Sequence, residues 1–337
     1  MLPVQNSYFS VSWDCCKDMS CQVPDSISST VETTYQKSKE VTDWLIENRG
    51  GLAKITGLLM VPAQSIANDK NTSHEIIDSY LPTGLRNARI EKITIPLNEN
   101  ERIEGVICYP KGWNKEDTSR CLLYHNPNGT SVSNFIEGNR LSYTPGEMLE
   151  LNRCPIILYD YRGVGLNQDA QNDSLLKYRA TYESIVKDGE AALAYALNKF
   201  ENVEVMGSSL GGGVATASLD RHLNKVPLDT RRITRLVNHD SFTTTPRVIF
   251  PQYPWLADCV GNIVGGKLDA MLPMGSLIEK GIKVVVLTHT KDPVIPFGAR
   301  MGDFVLDLPK KDNVKVLTVP RYGHANLSSP MINFLSV

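Results

Sequence analysis

A serine between glycines is the strongest chemical signal in this sequence. Residues 207–211 read Gly-Ser-Ser-Leu-Gly and match G-x-S-x-G, with Ser209 at the centre. The apolar residues 203–206 before the motif predict a short strand, and Gly212 and Gly213 after it predict the start of a slim helix. A serine at such a junction has its hydroxyl exposed at the carboxyl end of the strand, where it can attack a carbonyl carbon. Because the pattern also occurs in ordinary glycine-rich turns, a base and an acid must support it.

The candidate base is a histidine near the end of the chain. Acyl transfer by serine needs a base that takes the hydroxyl proton and a carboxylate that orients the base. Of the six histidines, His324 follows the last predicted strand and lies next to Gly323. The order serine, acid, histidine along the chain fits a triad on a sheet of parallel strands. The alternative is a histidine in a surface turn without a catalytic role.

Two aspartates are candidates for the acid. Asp292 follows the predicted strand 283–287, and Asp240 follows the predicted strand that contains residues 236–237. Asp292 is preferred, because the penultimate strand is the commoner source of the acid in this arrangement. Asp240 is kept as the alternative acid, and a second interpretation is that it caps the neighbouring loop.

The oxyanion of the tetrahedral intermediate requires two N–H donors. One is the backbone N–H of Leu210, at the positive end of the helix that follows Ser209. The second must come from the loop after the third strand, residues 125–129. Pro127 has no N–H, so the donor is Asn126 or Asn128, and the sequence leaves this choice open.

The elements that position these residues follow a repeating pattern from residue 90 onward. Residues 90–96 and 102–110 predict a hairpin. Short apolar runs then alternate with helical patterns, which predicts a mostly parallel sheet covered by helices on both faces. Later strands are predicted at 121–124, 156–159, 203–206, 236–237, 283–287 and 314–319, and helices at 131–152, 174–200 and 297–306. In such a sheet the functional loops gather at the carboxyl ends of the strands.

The first part of the chain has a different texture. Residues 1–88 predict a helical N-terminal extension, and residues 89–337 predict the catalytic domain. Helical patterns run over 28–50 and 52–66, with a shorter piece near 74–80. Cys15 and Cys16 could carry acyl chains, but unmodified thiols are the preferred interpretation because no polybasic or amphipathic segment accompanies them.

Composition excludes several classes of protein. The chain has 337 residues, a formal charge of -2 and scattered basic residues, so a nucleic-acid partner is not expected. Its seven cysteines have no metal-type spacing, which indicates reduced thiols and a cytoplasmic location. The acyl transfer expected of Ser209 requires no metal or organic cofactor. No apolar run is long enough to span a bilayer, and the first residues lack the pattern of a signal peptide.

The motifs taken together resemble the α/β-hydrolase superfamily of serine esterases, thioesterases and related peptidases. The resemblance covers about residues 90–337 and is carried by His125-Asn126 and by residues 160–165, 207–212, 240–243, 292–296 and 323–324. Within the superfamily the chain resembles the Bem-like and depalmitoylase-type branch. It is also similar to a chlamydial-type hydrolase family of intracellular bacteria that carries a helical N-terminal region. The resemblance implies Ser209 as nucleophile, Asp292 as acid and His324 as base.

These observations predict a hydrolase that cleaves a carboxylic ester or thioester of a small molecule or an acyl-modified substrate. Aromatic density at residues 250–256 suggests a partial cover, and His125, Phe250 and Trp255 are candidates for the substrate pocket. One alternative is a non-catalytic or weakly catalytic interaction protein, such as an effector translocated into a host cell, whose N-terminal extension binds a protein partner. Another alternative is a serine aminopeptidase.

Overall fold

An eight-stranded sheet forms the centre of the part of the chain that the structure describes. The structure is a computed structural model and describes residues 70–80, 88–137, 148–149, 153–168, 181–249, 251–252, 267–325 and 327–335. The strands are β1 (Ala88–Pro96), β2 (Arg102–Pro110), β3 (Arg120–His125), β4 (Ile156–Tyr159), β5 (Asn202–Ser208), β6 (Ile233–His239), β7 (Val284–Lys291) and β8 (Val314–Tyr322). Their order across the sheet is β1-β2-β4-β3-β5-β6-β7-β8.

The sheet is mostly parallel, as the sequence predicts. β1 and β2 form the expected antiparallel hairpin, and β2 also pairs antiparallel with β4. All pairings from β4 through β3, β5, β6 and β7 to β8 are parallel. The register places His125 opposite Gly207 and Ser208 opposite His239. The carboxyl ends of β3, β5 and β6 therefore meet at one edge of the sheet.

Helices cover both faces of the sheet. They are α1 (Lys70–Tyr80), α2 (Val132–Ile136), α3 (Tyr182–Lys199), α4 (Leu210–Lys225), α5 (Thr245–Ile249), α6 (Met271–Glu279), α7 (Met301–Asp307) and α8 (Ser329–Leu335). Apolar residues of α3, α4, α6 and α7 share one core cluster with Leu123, Val205 and Val286 of the strands. Residues of α1, α2 and α8 share the other cluster with Leu122 and Met206. Neighbouring strand residues thus pack on opposite faces, as the twofold strand period requires. This layering and strand order constitute the α/β-hydrolase fold.

Several boundaries differ from the predicted ones. α3 begins at Tyr182, after Thr181 as N-cap, and not at residue 174, and β7 continues to Lys291. The helix expected at 297–306 begins only at Met301, because Gly298 adopts a φ of 83° that a helix cannot accommodate. β8 continues past residue 319 to Tyr322, where it still pairs with β7. α2 ends at Ile136, so it covers only the first part of the predicted helix 131–152.

One piece of the predicted N-terminal extension is described, the helix α1. Its Ile77 is fully buried in the core, and the hydroxyls of Ser73 and Ser133 lie 3.1 Å apart. The remaining residues of the extension, including Cys15 and Cys16, lie outside the described residues. The division of the chain after residue 88 therefore stays a prediction. No helix within the described ranges is long and apolar enough to cross a membrane.

Candidate active site

Ser209 occupies a strained turn between β5 and α4. Its φ of 53° and ψ of −120° lie in a region that residues with side chains rarely adopt. The surrounding chain holds this conformation from two sides. The Ser209 N–H donates to the carbonyl of His239 at 2.9 Å, and the Ser241 hydroxyl donates to the Ser209 carbonyl at 2.8 Å. The turn predicted from the G-x-S-x-G motif is therefore present.

The two glycines of the motif allow close packing at the turn. A Cβ at position 207 would collide with the carbonyl of Gly211, and one at position 211 would collide with the carbonyl of His125. Gly207 thus lets the strand approach the helix, and Gly211 lets the loop after β3 approach the same helix. As a result, the oxyanion loop candidate lies directly against the first turn of α4.

The three predicted catalytic side chains lie in one hydrogen-bonded row. His324 Nε2 is 2.9 Å from Ser209 Oγ, and His324 Nδ1 is 2.8 Å from Asp292 Oδ2. A carboxylate only accepts hydrogen bonds, so Nδ1 must carry the imidazole proton. Nε2 is then unprotonated and can accept the hydroxyl proton of Ser209. This is the geometry that nucleophilic activation of a serine requires.

The loop after β7 fixes the Asp292 carboxylate. Its Oδ1 accepts the backbone N–H groups of Val294 at 2.7 Å and Ile295 at 2.9 Å, which leaves Oδ2 for His324. The Asp292 side chain is 1% exposed and the His324 side chain 18% exposed. The acid is therefore sealed inside the protein, while the imidazole can be reached from solvent.

Asp240, the alternative acid, contacts a different histidine. Its Oδ2 accepts His289 Nδ1 at 2.8 Å and the backbone N–H of Ala325 at 2.9 Å, and its Oδ1 accepts the His289 N–H at 2.9 Å. His239 Nε2 lies 3.1 Å from Oδ2, within ion-pair distance. Burial acts to raise the pKa of Asp240, but the two imidazoles outweigh it and lower the pKa to about 2.

The loop after β3 is braced by backbone and side-chain groups at and just after the end of β4. The Asn126 side-chain amide donates to the carbonyl of Tyr159 at 2.9 Å, and the Tyr161 hydroxyl donates to the carbonyl of Asn126 at 2.9 Å. Asp160 accepts the backbone N–H groups of Val132 at 2.8 Å and Leu166 at 3.0 Å. This bracing holds the loop in one conformation beside α4.

Each predicted oxyanion donor belongs to this region. Leu210 is the first residue of α4, so its N–H has no acceptor within the helix. Asn126 is buried beside α4, and Asn128 is half-buried in the same loop. Pro127 separates the two asparagines, and the choice between them stays open.

Of the predicted pocket residues, His125 is described and fully buried. Its Nδ1 lies 2.7 Å from the Tyr159 hydroxyl, and burial lowers its pKa to about 3, so the ring is neutral. His125 thus ends β3 as a fully buried residue and does not lie on a surface that a substrate reaches. Phe250 and Trp255 lie outside the described residues.

Two sets of polar residues near the site were not predicted from the sequence. Tyr159 and Tyr161 brace the loop after β3, and His239 and His289 surround Asp240. The positions of both histidines at strand ends gave a signal, because polar side chains there face the functional edge of the sheet. The two tyrosines gave no such signal, since they read as ordinary core aromatics.

Among the described residues, His239, Asp240 and His289 have metal-ligand atoms within 4.8 Å of one another. Histidine nitrogens and carboxylate oxygens are suitable ligands for zinc and similar ions. In this group, however, Asp240 Oδ2 already accepts both the His289 ring and the Ala325 N–H. Hydrogen bonds therefore account for how the group is held together.

Comparisons with known proteins found similarity in structure but not in sequence. No family model and no curated protein sequence matches this chain. Acetyl xylan esterase from Paenibacillus sp. R4 is similar in structure with 14% identity and a TM-score of 0.49, covering 81% of this chain and 98% of that chain. The Pyrococcus furiosus esterase Pf2001 has 14% identity and a TM-score of 0.47, with 71% and 83% covered. Acetyl xylan esterase 1 from Thermoanaerobacterium sp. JW/SL YS485 has 16% identity and a TM-score of 0.47, with 82% and 98% covered.

Proposed function

We propose that the protein is a serine hydrolase that cleaves a carboxylic ester or thioester through an acyl-enzyme on Ser209. The observation that carries the proposal is the row of hydrogen bonds from Ser209 Oγ to His324 at 2.9 Å and on to Asp292 at 2.8 Å. Ser209, Asp292 and His324 each follow a strand of an α/β-hydrolase fold, and these positions agree with the proposed role. The Bem-like or chlamydial-type branch remains a proposal that rests on sequence resemblance.

In the first half of the reaction, Ser209 Oγ attacks the substrate carbonyl carbon while its proton moves to His324 Nε2. The carboxylate of Asp292 stabilises the imidazolium that forms. The carbonyl oxygen becomes negatively charged and accepts the Leu210 N–H together with an N–H of Asn126 or Asn128. One such donor typically contributes about 3 kcal/mol to transition-state stabilisation. Collapse of the intermediate breaks the bond to the leaving group, which takes the proton from His324.

In the second half, water replaces the leaving group. His324 Nε2 takes a proton from the water as its oxygen attacks the acyl carbon. The second tetrahedral intermediate then collapses, the bond to Ser209 Oγ breaks, and the proton returns to the serine. The carboxylic acid is released and the starting hydrogen bonds are restored.

An apolar acyl group is the proposed substrate preference. Val294 and Phe297 closely follow Asp292 and are 51% and 77% exposed, and Tyr322 closely precedes His324 and is 76% exposed. Exposed apolar side chains this close to catalytic groups in the chain favour contact with an apolar ligand. Chain-length profiles of Phe297→Ala and Trp255→Ala with p-nitrophenyl esters test this preference. A profile identical to that of the wild type in both variants would contradict it.

Labelling with a fluorophosphonate probe tests the catalytic proposal. The wild type should become labelled at residue 209, as located by peptide mass spectrometry, and Ser209→Ala should not. Ser218→Ala is a matched control, because Ser218 is a buried serine on α4 whose hydroxyl donates to the Ala215 carbonyl of the same helix. Absence of both labelling and ester turnover in the folded wild type would instead support a non-catalytic interaction protein.

A further inference from the structure

A second set of buried polar residues lies directly beside the catalytic row. The Tyr124 hydroxyl is 3.2 Å from Ser208 Oγ, and Ser208 Oγ is 3.0 Å from His239 Nδ1. His239 and His289 both contact Asp240, as described above. We call these residues, Tyr124, Ser208, His239, Asp240 and His289, the Asp240 cluster. All of them are buried, so a substrate does not reach them.

The donors and acceptors of the Asp240 cluster form a consistent chain. The Tyr124 hydroxyl donates to Ser208, whose own hydroxyl is then free to donate to Nδ1 of His239. The proton of a neutral His239 is therefore on Nε2, the nitrogen that faces Asp240. His289 must carry its proton on Nδ1, because the carboxylate it contacts can only accept.

This cluster contacts the residues on both sides of the catalytic histidine. After His324, the Ala325 N–H donates to Asp240 Oδ2 at 2.9 Å. Before His324, Gly323 packs against the His289 ring so closely that a Cβ would lie 3.0 Å from the ring nitrogen. At its other end, the cluster reaches Ser208, the residue before the nucleophile. It therefore connects the serine turn with the histidine loop.

Backbone strain is concentrated at the same place. Of the four described residues other than glycine that have a positive φ, three are Ser209, Asp240 and Ala325, with φ values of 53°, 42° and 53°. Such conformations persist only where surrounding contacts enforce them. The bond from Ala325 to Asp240 joins two of these strained residues directly. Loss of that bond would remove one contact that holds the histidine loop in this conformation.

We propose that Asp240, with His239 and His289, is a positioning residue that holds His324 within reach of Ser209. The inference deepens the proposed function and rests on it for its catalytic consequence. Asp240 does not touch the reacting atoms, and it acts through the backbone on either side of His324. Relaxation of Ala325 would swing the imidazole away from the hydroxyl. A misplacement of about 1 Å in a catalytic group can lower the rate about 10²-fold.

The crystal structure of Asp240→Asn tests the positioning directly. Both carboxylate oxygens of Asp240 accept N–H groups, so in either orientation an asparagine places its amide NH2 group against a donor. We expect the separation of His324 Nε2 and Ser209 Oγ to increase beyond hydrogen-bond reach. Asp229→Asn is the matched control, because Asp229 also bonds an imidazole, His222, at 2.8 Å but at the far end of α4. That control should keep the wild-type separation of 2.9 Å.

A backbone change tests the same bond if Asp240→Asn does not fold. Lactic acid introduced at position 325 by nonsense suppression keeps the methyl group and replaces only the amide N–H with an ester oxygen. We expect the distance from His324 Nε2 to Ser209 Oγ to increase, as in Asp240→Asn. A wild-type geometry of Ser209 and His324 in either folded variant would overturn the proposal.

Kinetics supply a readout that a purely structural role would not change. At a temperature well below unfolding, we expect Asp240→Asn to lower kcat about 10²-fold for p-nitrophenyl acetate with KM nearly unchanged. A raised KM with unchanged kcat would overturn the positioning role. If the wild type itself neither labels nor turns over esters, the proposed function fails, and the crystallographic comparison still decides whether Asp240 positions His324.

Discussion

Two carboxylate–imidazole pairs lie at neighbouring strand ends, and one of them faces Ser209. Asp292 bonds His324 and Asp240 bonds His289, each with a nitrogen–oxygen distance of 2.8 Å. The His324 side chain is 18% exposed and its second nitrogen contacts Ser209 Oγ. The His289 side chain is 2% exposed, and its ring packs against the backbone of Gly323. These two pairs thus place the same chemical groups in an open position and in a sealed one.

The comparison shows that a histidine–aspartate pair does not define a catalytic function by itself. What distinguishes the Asp292 pair is an imidazole nitrogen that reaches both the serine hydroxyl and solvent. The sealed Asp240 pair instead fixes backbone segments, because its carboxylate accepts N–H groups from β7 and from the loop after β8. Buried and fully bonded polar groups of this kind are suited to holding one conformation.

The largest expected effect distinguishes Asp292 from Asp240. Asp292→Asn should lower kcat about 10⁴-fold, because the amide favours the wrong imidazole tautomer and cannot balance the imidazolium charge. The corresponding loss in Asp240→Asn should be about 10²-fold, since that side chain acts only through position. Steady-state kinetics on one ester substrate measures both. Equal losses in the two variants would mean that Asp240 shares the role of the acid.

The sequence was sufficient to predict the row of Ser209, Asp292 and His324, because parallel strands bring their carboxyl ends to one edge. The structure places these residues together, and their chemical roles remain predictions. The mostly parallel sheet and the hairpin of β1 and β2 are confirmed. Regular apolar periods specify such elements, whereas the strained turn was predictable only because its glycines form a recognisable motif.

The contacts of Asp240 could not be predicted in the same way. They depend on the register that sets His239 beside Leu287, and on which way the His289 side chain leaves its strand. A shift of one residue in a strand would turn each side chain to the opposite face. The bracing of Asn126 by Tyr159 and Tyr161 is likewise a tertiary contact between loops, and no local pattern encodes it.

A third buried carboxylate, Asp160, shows what happens where no imidazole accompanies the acid. Burial raises the pKa of Asp160 to about 7 even though Leu166 and Val132 donate to it. A carboxyl group with a raised pKa stabilises the fold fully below its unfolded pKa near 4, and this contribution is lost as pH rises through 7. The loss should amount to about 4 kcal/mol in the free energy of unfolding.

Urea denaturation of the wild type and of Asp160→Asn measures this loss. The pH should run from about 3 to about 8, so that it spans both the unfolded and the folded pKa of Asp160. The wild type should lose stability relative to the variant as pH rises, because asparagine does not titrate. Asp188 also has a raised pKa, about 6, but it is present in both proteins and cancels in the difference. A constant difference over this range would show that Asp160 is ionised throughout.

Asp240 should show the opposite dependence on pH. Its pKa is lowered to about 2, compared with an ordinary value of 3.8, because His239 and His289 outweigh the effect of burial. A lowered pKa contributes stability above the unfolded value, and that contribution is lost as pH falls from about 4 through 2. The expected loss is about 2 kcal/mol, measured as a shrinking difference between wild type and Asp240→Asn in urea denaturation. A difference that grows toward low pH would contradict the assignment of imidazole partners to Asp240.

The smallest expected effect concerns a third histidine–aspartate pair, His222 and Asp229, at the far end of α4. The pair has the same 2.8 Å contact as the other two, and its side chains are 9% and 17% exposed. Asp229→Asn should cost about 1 kcal/mol of stability, because the amide can still bond the imidazole and water reaches the pair. Since α4 separates this pair from Ser209, kcat should remain within about twofold of the wild type, the size of effect expected for a site remote from the reacting atoms. Thermal melting and ester kinetics measure the two quantities.

A loss of kcat as large as that of Asp240→Asn would show that destabilisation alone lowers activity. The distinction between a positioning pair and a merely stabilising pair would then fail.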